Sequence, residues 1–173
     1  NGRFLEAFLR VNSRARVTVL DVSSRMLTAA QHRLTERAMN LDRVEFIQKD
    51  ILEWPGTLNP YDLVVSHFFL DCFRPEQLET IIARVSRLTS PEAIWLLADF
   101  HACAPGLAGL RARLLLKIMY VFFRRVTALP AKRLTSPDPF LQDHGFVLIR
   151  RHFSEWNLLH SDLWRKDDIR RQD

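Results

Sequence analysis

Cysteine is scarce in this 173-residue chain, which has only Cys72 and Cys103. Two widely separated cysteines are too few for a disulfide framework or a cysteine-ligated zinc site. Their scarcity favours a reducing compartment, and we expect the cytoplasm. Long apolar runs are also lacking. The longest, near residues 114–123, contains Lys117 and is shorter than the roughly 20 residues that are needed to span a bilayer.

An excess of charge is absent from the first part of the chain and confined to the second. Residues 1–100 have a net charge of −1 and residues 101–173 a net charge of +6. A basic half is typical of proteins that bind nucleic acid, an anionic membrane or an acidic substrate, and equally of a solvated surface with no special partner. The hydrophobic content of 47% argues against wholesale disorder, and one domain over residues 1–173 is expected.

What the chain does contain is a buried-strand pattern that ends in an acid. Residues 17–20 are all apolar or strand-favouring, which is typical of a parallel strand covered on both faces, and Asp21 follows directly. In nucleotide-binding sheets an acid at this place binds a ribose, about 20 residues after a glycine-rich turn. Gly2 precedes Asp21 by 19 positions, so we expect the chain to begin inside that turn. A helix-capping carboxylate is the alternative for Asp21.

Predicted strands alternate with predicted helices along the next part of the chain. Helices are predicted after Ser23 or Ser24 and from Pro75 to about Leu88. Two later strands, like the first, stop at an acid, Asp50 in one case and Asp99 in the other. The later strands are predicted at residues 43–50, 61–66, 94–99, 146–153 and 156–164.

Several segments, taken in order, form a series of motifs. They are NGRFL, VTVLDVSSRML, VEFIQKDI, YDLVVSHFFLDCF, WLLADF, and GFVLIRRHFSEW with LLHSDLWRK. The series resembles the class I methyltransferases that use S-adenosylmethionine (SAM), and it covers essentially the whole chain. The resemblance implies an α/β fold with a Rossmann-like doubly wound sheet, mostly parallel with a C-terminal antiparallel hairpin. The family's first strand and leading glycines are absent from the sequence, so we expect a sheet without that strand.

The resemblance assigns cofactor roles to the region around the first strand. Asp21 would bind both ribose hydroxyls, because a carboxylate offers two acceptor oxygens. Met26 would pack on the adenine face, with a place in the protein core as the alternative. Gly2 and Val22 belong to the same predicted site.

The next two strands supply the rest of the predicted cofactor site. Asp50 would accept a hydrogen bond from the adenine amino group, while the Ile51 N–H donates to a ring nitrogen. Ser66 and His67 would lie beside the methionine portion and the sulfonium of SAM. No metal site is predicted, since the histidines lack metal-ligand spacing.

A catalytic base is needed only if the methyl acceptor begins protonated. His67 and Asp71, in the loop after the third strand, are the candidate catalytic residues, with His101 third. A hydrogen-bonding loop histidine is the alternative for His67.

Residues 106–135 are predicted to form a helical insertion over the acceptor site. Apolar residues cover most of the helix, and Arg113, Lys117 and Arg124 form one narrow basic stripe. A core helix with one solvated edge is the alternative.

The sequence therefore predicts a SAM-dependent methyltransferase that acts on a small-molecule or lipid-like acceptor. An NAD-dependent oxidoreductase is one alternative, because Asp21 would serve that cofactor equally well. A non-catalytic Rossmann-like module is another. It would use the basic second part for peripheral membrane contact or for binding RNA, a nucleic-acid role that we rank below the small-molecule one.

Overall fold

A computed structural model of the chain describes residues 2–100, 135–155, 157 and 159–167. Both His101 and the predicted insertion at 106–135, apart from Thr135, lie outside these residues. Contacts divide the chain into two compact units, Asn1–Pro55 and Gly56–Asp173. That residues 1–173 act as a single domain stays a prediction.

The first unit consists of two helices and a two-stranded parallel sheet. Helix α1 spans Arg3–Val11, β1 spans Val17–Asp21, α2 spans Ser24–Glu36 and β2 spans Val44–Gln48. The register runs from Val17 opposite Val44 to Asp21 opposite Gln48, so both strands end at the same edge. This is the edge at which parallel α/β sheets bind ligands.

Helix α2 begins and packs as its sequence predicts. The Ser23 hydroxyl caps the helix by accepting a hydrogen bond from the Met26 N–H at 3.4 Å. Leu27, Ala30 and Leu34 recur at helical spacing and form its buried face. Full burial of a leucine side chain contributes about 1.5–3 kcal/mol, so this face stabilises the helix more than its intrinsic propensity does.

The second unit is built on a four-stranded mixed sheet with the order β3-β4-β6-β5. Strands β3 and β4 are parallel, whereas β6 runs antiparallel to both β4 and β5. The closing antiparallel hairpin predicted from the sequence is thereby confirmed. The elements are β3 Tyr61–His67, a 3₁₀ helix Leu70–Cys72, α3 Pro75–Arg87, β4 Thr89–Phe100, α4 Asp138–Asp143, β5 Phe146–Ser154 and β6 Leu159–Lys166.

All five later strands differ from their predicted bounds. β2 ends at Gln48, so Asp50 lies beyond it, and β5 is one residue longer than predicted. β3 includes His67, which was predicted to open the following loop. β4 begins at Thr89 instead of residue 94, because its first residues pair with the start of β3 through an irregular register. The last strand is Leu159–Lys166, shifted toward the C-terminus from the predicted 156–164. Its alternating burial pattern identifies one face turned into the protein.

Large side chains fill the core of the second unit. Trp95 of β4 and Trp164 of β6 lie opposite each other, and each is at most 1% exposed. The Trp95 ring meets the edge of Phe146 at a centroid distance of 5.5 Å. Leu78, Ile81 and Ile82 form the buried face of α3. None of the helices in the described parts of the chain is long and apolar enough to cross a membrane.

Candidate active site

Asp21 is the last residue of β1, and its carboxylate is held by the turn that follows. Its Oδ1 atom accepts a hydrogen bond from the Ser23 N–H at 2.8 Å. The Val22 carbonyl accepts a hydrogen bond from Gln48 Nε2 at 3.3 Å, which ties the turn to the end of β2. Because an ionised carboxylate has a second acceptor oxygen, Asp21 can hold its own turn and still accept from a ligand.

Two apolar side chains beside Asp21 are exposed. Val22 is 62% exposed and Met26 is 44% exposed. The alternative place for Met26, in the protein core, is therefore wrong. Exposed apolar surface next to a carboxylate suits a ligand with one flat apolar part and one hydroxylated part.

Asp50 lies two residues beyond β2, at the same edge as Asp21. Its Oδ1 accepts from the Leu52 N–H at 2.9 Å, and the neighbouring Lys49 N–H donates to the Asp21 carbonyl at 3.2 Å. The Ile51 side chain is buried in the core. The predicted contact with an adenine ring nitrogen involves only the Ile51 backbone N–H. The structure thus brings Asp21, Val22, Asp50 and Ile51 together at one edge of the first unit.

Gly2 has a structural reason to be glycine. Its φ of 70° lies in the left-handed region, and its carbonyl accepts from the Glu6 N–H at 2.9 Å at the start of α1. A Cβ atom there would lie 3.0 Å from the Ala30 Cα, so α1 starts in close contact with α2. Whether Gly2 also contacts a cofactor stays a prediction.

In the second unit, Ser66 is buried and its hydroxyl accepts a hydrogen bond from Trp95 Nε1 at 2.9 Å. The side chain is therefore engaged inside the protein, which leaves the Ser66 backbone for the predicted contact with the methionine portion. His67 follows as the last residue of β3 and is exposed. Partial burial nevertheless lowers the pKa of His67 below its ordinary 6.5, so its imidazole is neutral at pH 7.

The segment from His67, the last residue of β3, to Phe73 is called here the 67–73 loop, and it is sharply bent. Phe68 has a φ of 52°, and its N–H donates to the Ala98 carbonyl at 2.7 Å. The Phe68 ring packs against Phe100 at a centroid distance of 5.2 Å. The loop is thereby folded over the carboxyl end of β4.

Asp71 and Cys72 lie in the 3₁₀ helix of this loop. Burial raises the pKa of Asp71, and its Oδ1 accepts a hydrogen bond from Cys72 Sγ at 3.4 Å. Burial first, and the nearby carboxylates second, raise the pKa of Cys72 to about 12. Cys72 is therefore a protonated thiol at pH 7 and no nucleophile.

The sequence reasoning placed Asp99 at a strand end but left it out of the predicted site. Asp99 is 2% exposed, and its Oδ1 accepts from the Phe69 N–H at 3.0 Å. Burial and the neighbouring Asp71 raise the pKa of Asp99 to about 8. The signal was present, because Asp99 follows Trp95 and Leu97 at the spacing of one strand face.

A second missed group lies on β5 and β6. Arg151 donates to both carboxylate oxygens of Asp162 and also to Asp138 at the start of α4. His160, Asp162 and Trp164 follow one another at every second position of β6 and share its buried face. This spacing can be read from the sequence. In residues 2–100, 135–155, 157 and 159–167, no group of three or more His, Cys, Asp or Glu side chains could hold a metal ion.

A methyltransferase domain model matches residues 1–92, more than half of the chain. The chain belongs to the methyltransferase domain family. Membership confirms the family resemblance that was drawn from the sequence. The predicted enzyme class, a methyltransferase, and the predicted cofactor, SAM, are confirmed with it. No curated protein sequence is significantly similar to this methyltransferase.

Solved structures confirm the Rossmann-like α/β fold. N-methyltransferase NodS from Bradyrhizobium japonicum WM9 is 18% identical, with a TM-score of 0.63 over 96% of this chain and 81% of NodS. NodS has also been solved with S-adenosyl-L-homocysteine.

Two longer neighbours share the fold. An O-methyltransferase family 2 protein from Planctomyces limnophilus DSM 3776, in complex with apigenin, is 16% identical with a TM-score of 0.73 over 95% of this chain. The mitomycin 7-O-methyltransferase MmcR is 18% identical with a TM-score of 0.69, again over 95% of this chain. This methyltransferase spans about half the length of each, 48% and 46% respectively.

The residues at the edge of the first unit fit SAM by their chemistry. The ribose of SAM carries two hydroxyl donors and its adenine an amino donor, whereas Asp21 and Asp50 offer carboxylate acceptors. The exposed Val22 and Met26 side chains offer apolar surface for the adenine faces. A depression of about 550 Å³ along α2, between Ser24 and Glu36, includes none of the predicted site residues.

Proposed function

We propose that this chain transfers the methyl group of SAM to an oxygen or nitrogen of a small organic molecule. The observation that carries the proposal is a pair of carboxylates at one sheet edge. Asp21 ends β1 and Asp50 lies two residues beyond the parallel strand β2, with the exposed apolar side chains of Val22 and Met26 beside Asp21. When bound, SAM supplies a methyl group on a cationic sulfur, which is an electrophile. The protein binds the nucleoside part, aligns the acceptor and excludes water, and alignment can contribute ~7–11 kcal/mol.

The roles of the two carboxylates follow from their geometry. Asp21 accepts from the ribose hydroxyls, and its own turn keeps the carboxylate oriented through the Ser23 N–H. Asp50 accepts from the adenine amino group, while its Oδ1 is steadied by the Leu52 N–H. Held carboxylates lose little side-chain entropy on binding, which favours affinity.

His67 is the proposed general base. A neutral imidazole can take the proton of an acceptor hydroxyl or ammonium, and the lowered pKa of His67 keeps it neutral at pH 7. Asp71 is the weaker candidate, because it is buried and its Oδ1 already accepts a hydrogen bond from Cys72 Sγ.

A small acceptor is proposed by analogy with the structural neighbours. One neighbour is named as a mitomycin 7-O-methyltransferase, and another was solved in complex with apigenin. Mitomycin and apigenin are both small organic molecules. The lipid-like acceptor and peripheral membrane contact depend on the helix predicted at 106–135. They remain proposals from the sequence, as do RNA binding and a cytoplasmic location.

The test is methyl transfer from SAM labelled on the methyl carbon to a panel of phenols, catechols, primary amines and fatty acids. Labelled product from a phenol or an amine is expected, with S-adenosylhomocysteine formed in equal amount. Turnover of fatty acids alone would shift the proposal to a lipid-like acceptor. Binding of NAD in place of SAM would overturn it. Tight, steeply salt-dependent binding of RNA with no methyl transfer would also overturn it.

A further inference from the structure

Phe68 has a backbone conformation that an aromatic residue rarely adopts. Its φ of 52° lies in the left-handed region, where a bulky side chain is strained. The strained residue directly follows His67, the last residue of β3 and the proposed general base. Strained backbone of this kind persists only where its surroundings hold it, and it concentrates at active sites.

Three successive residues of β4 hold this turn. The Ala98 carbonyl accepts a hydrogen bond from the Phe68 N–H at 2.7 Å, and the Phe100 ring packs against the Phe68 ring. Between these two contacts, Asp99 Oδ1 accepts from the Phe69 N–H at 3.0 Å. The hydrogen bond to Asp99 is the one of the three that depends on a polar side chain, so a single substitution can remove it.

A carboxyl group is costly at the position of Asp99. Burial first, and the neighbouring Asp71 second, raise the pKa of Asp99 to about 8, although backbone N–H groups of the 67–73 loop act to lower it. Within the described parts of the chain, Oδ2 of Asp99 has no hydrogen-bond partner, and a buried polar atom without a partner is destabilising. An apolar residue would fill the same space without this cost. The acid is therefore better explained by what its Oδ1 atom holds than by a contribution to stability.

The path from Asp99 to His67 is short. The register of β3 and β4 places His67 beside Ala98, so Asp99 lies one residue beyond that pair. The hydrogen bond to Asp99 fixes the amide of Phe69, two residues after His67, and thereby restricts rotation of the intervening backbone. The direction of a side chain depends on the backbone that carries it, so the turn sets where the imidazole points.

We propose that Asp99 is a positioning residue for the methyl transfer, because its side chain holds the turn at Phe68 and thereby sets the position of the His67 imidazole. This role rests on the proposed function of His67 as the general base. Asp99 itself does not touch the acceptor, since its side chain is buried. A catalytic group that is misplaced by about 1 Å can lose about 10²-fold in rate, so the hold on the loop should be visible in kcat.

The test compares Asp99→Leu, Asp99→Asn and the control Thr89→Val. Leucine and asparagine are both close to aspartate in shape, but only asparagine keeps an oxygen that can accept from the Phe69 N–H. Thr89 lies at the opposite end of β4. Its buried hydroxyl donates to the Ser86 carbonyl at 2.7 Å and accepts from Lys166 Nζ at 3.0 Å. Thr89→Val therefore shows what the loss of a buried hydrogen bond in β4 does far from the loop.

Turnover is measured with an acceptor from the phenol and amine panel. Asp99→Leu should lower kcat by about 10²-fold with the Kd for SAM unchanged, and Asp99→Asn should restore most of the rate. Thr89→Val should lower stability but leave kcat unchanged. In a His67→Gln background Asp99→Leu should lower kcat little further, because a positioning residue acts through the group that it positions.

Amide hydrogen exchange reports on the loop without the need for turnover. Once the change in global stability is allowed for, Asp99→Leu should speed exchange of the Phe69 amide by about tenfold or more relative to the wild type. Asp99→Asn should restore its protection, and Thr89→Val should keep the protection of the wild type.

Three results would overturn the proposal. They are unchanged Phe69 protection in Asp99→Leu, an equal further loss of kcat from Asp99→Leu in the His67→Gln background, and a loss of kcat in Thr89→Val as large as in Asp99→Leu. If Asp99→Leu does not fold, the smaller Asp99→Ala takes its place with the same expected results. A His67→Gln protein with the kcat of the wild type would remove the proposed base. Exchange of Phe69 distinguishes that failure, because lost protection in Asp99→Leu would still assign Asp99 to holding the loop.

Discussion

Arg151 of β5 donates two hydrogen bonds to Asp162 of β6, its neighbour across the antiparallel strand pair. Arg151 Nε lies 2.8 Å from Asp162 Oδ1, and a terminal guanidinium nitrogen lies 2.6 Å from Oδ2. The same guanidinium donates to Asp138 at 2.9 Å, which fastens α4 to the sheet. This planar, two-point geometry is one that lysine cannot reproduce.

Replacing Arg151 with methionine should destabilise the protein by about 3–5 kcal/mol, because it leaves the buried Asp162 carboxylate without its main partner. Urea unfolding at pH 7 measures the loss. Arg150→Met, on the exposed neighbour of the same strand, is the control and should change stability by roughly 0.5 kcal/mol or less. Equal effects of the two variants would mean that the pair contributes nothing specific.

The same pair sets an acid limit on stability. Burial acts against it, but hydrogen bonds from Arg151 and His160 hold the pKa of Asp162 at about 2, below its ordinary 3.8. A depressed folded pKa gives stability that is present above 3.8 and lost as the pH falls toward 2. Acid titration of the wild type should show this loss between those values, and Asp162→Asn should show less of it.

Asp21→Ala should weaken SAM binding about tenfold or more, since hydrogen bonds to a charged acceptor contribute ~1.5–3 kcal/mol each. Asp21→Asn removes the charge but keeps an acceptor for the Ser23 N–H. It therefore tests the effect of the charge on SAM binding separately from the hydrogen bond within the turn. Asp42→Asn is the matched control, because Asp42 is exposed and precedes β2 at the opposite edge of the sheet. Calorimetry gives each affinity, and an unchanged value for both Asp21 variants, with the fold intact, would remove Asp21 from the site.

His67→Gln should lower kcat by about 10²–10⁴ if His67 is the general base, with the Kd for SAM unchanged. The wild-type rate should fall on the acid side at a pH below 6.5, because the pKa of His67 lies below that value. The acceptor is one found in the phenol and amine panel. His152→Gln, an exposed histidine on β5, is the control. If His67→Gln keeps the pH dependence of the wild type, the loss of rate at acid pH belongs to another group.

Ser66→Ala should cost about 1–3 kcal/mol of stability, because it leaves the buried Trp95 N–H without an acceptor. In a Trp95→Phe background the same change should cost clearly less, so the double-mutant cycle isolates the hydrogen bond. SAM affinity should stay the same in Ser66→Ala, since the hydroxyl is engaged inside the protein. A large loss of affinity at unchanged stability would place the hydroxyl at the cofactor.

Much of the fold, and the positions of the acids near the strand ends, could be predicted from local patterns. The pattern of residues 17–21 identified both the strand and the acid that ends it, because apolar runs and the residues that end them are neighbours in the chain. The predicted burial on both faces was wrong, since all five residues are only half-buried. The helix from Pro75 was predicted for the same reason, through the proline at its first turn. Asp21 and Asp50 could be paired as neighbours because parallel strands end at the same sheet edge.

The sequence by itself determined which of the described segments form strands and helices, and it placed Asp21, Asp50 and Asp99 within two residues of their strand ends. Only the tertiary structure decided that β6 lies between β4 and β5, which sets His160 against Asp99 and Asp162 against Arg151. The physical reason is range. Periodicity, capping and turns act over a few residues, whereas the order and register of strands bring together residues that are 61 positions apart, as His160 and Asp99 are. The environment that buries Asp99 and raises its pKa therefore exists only once the sheet has formed.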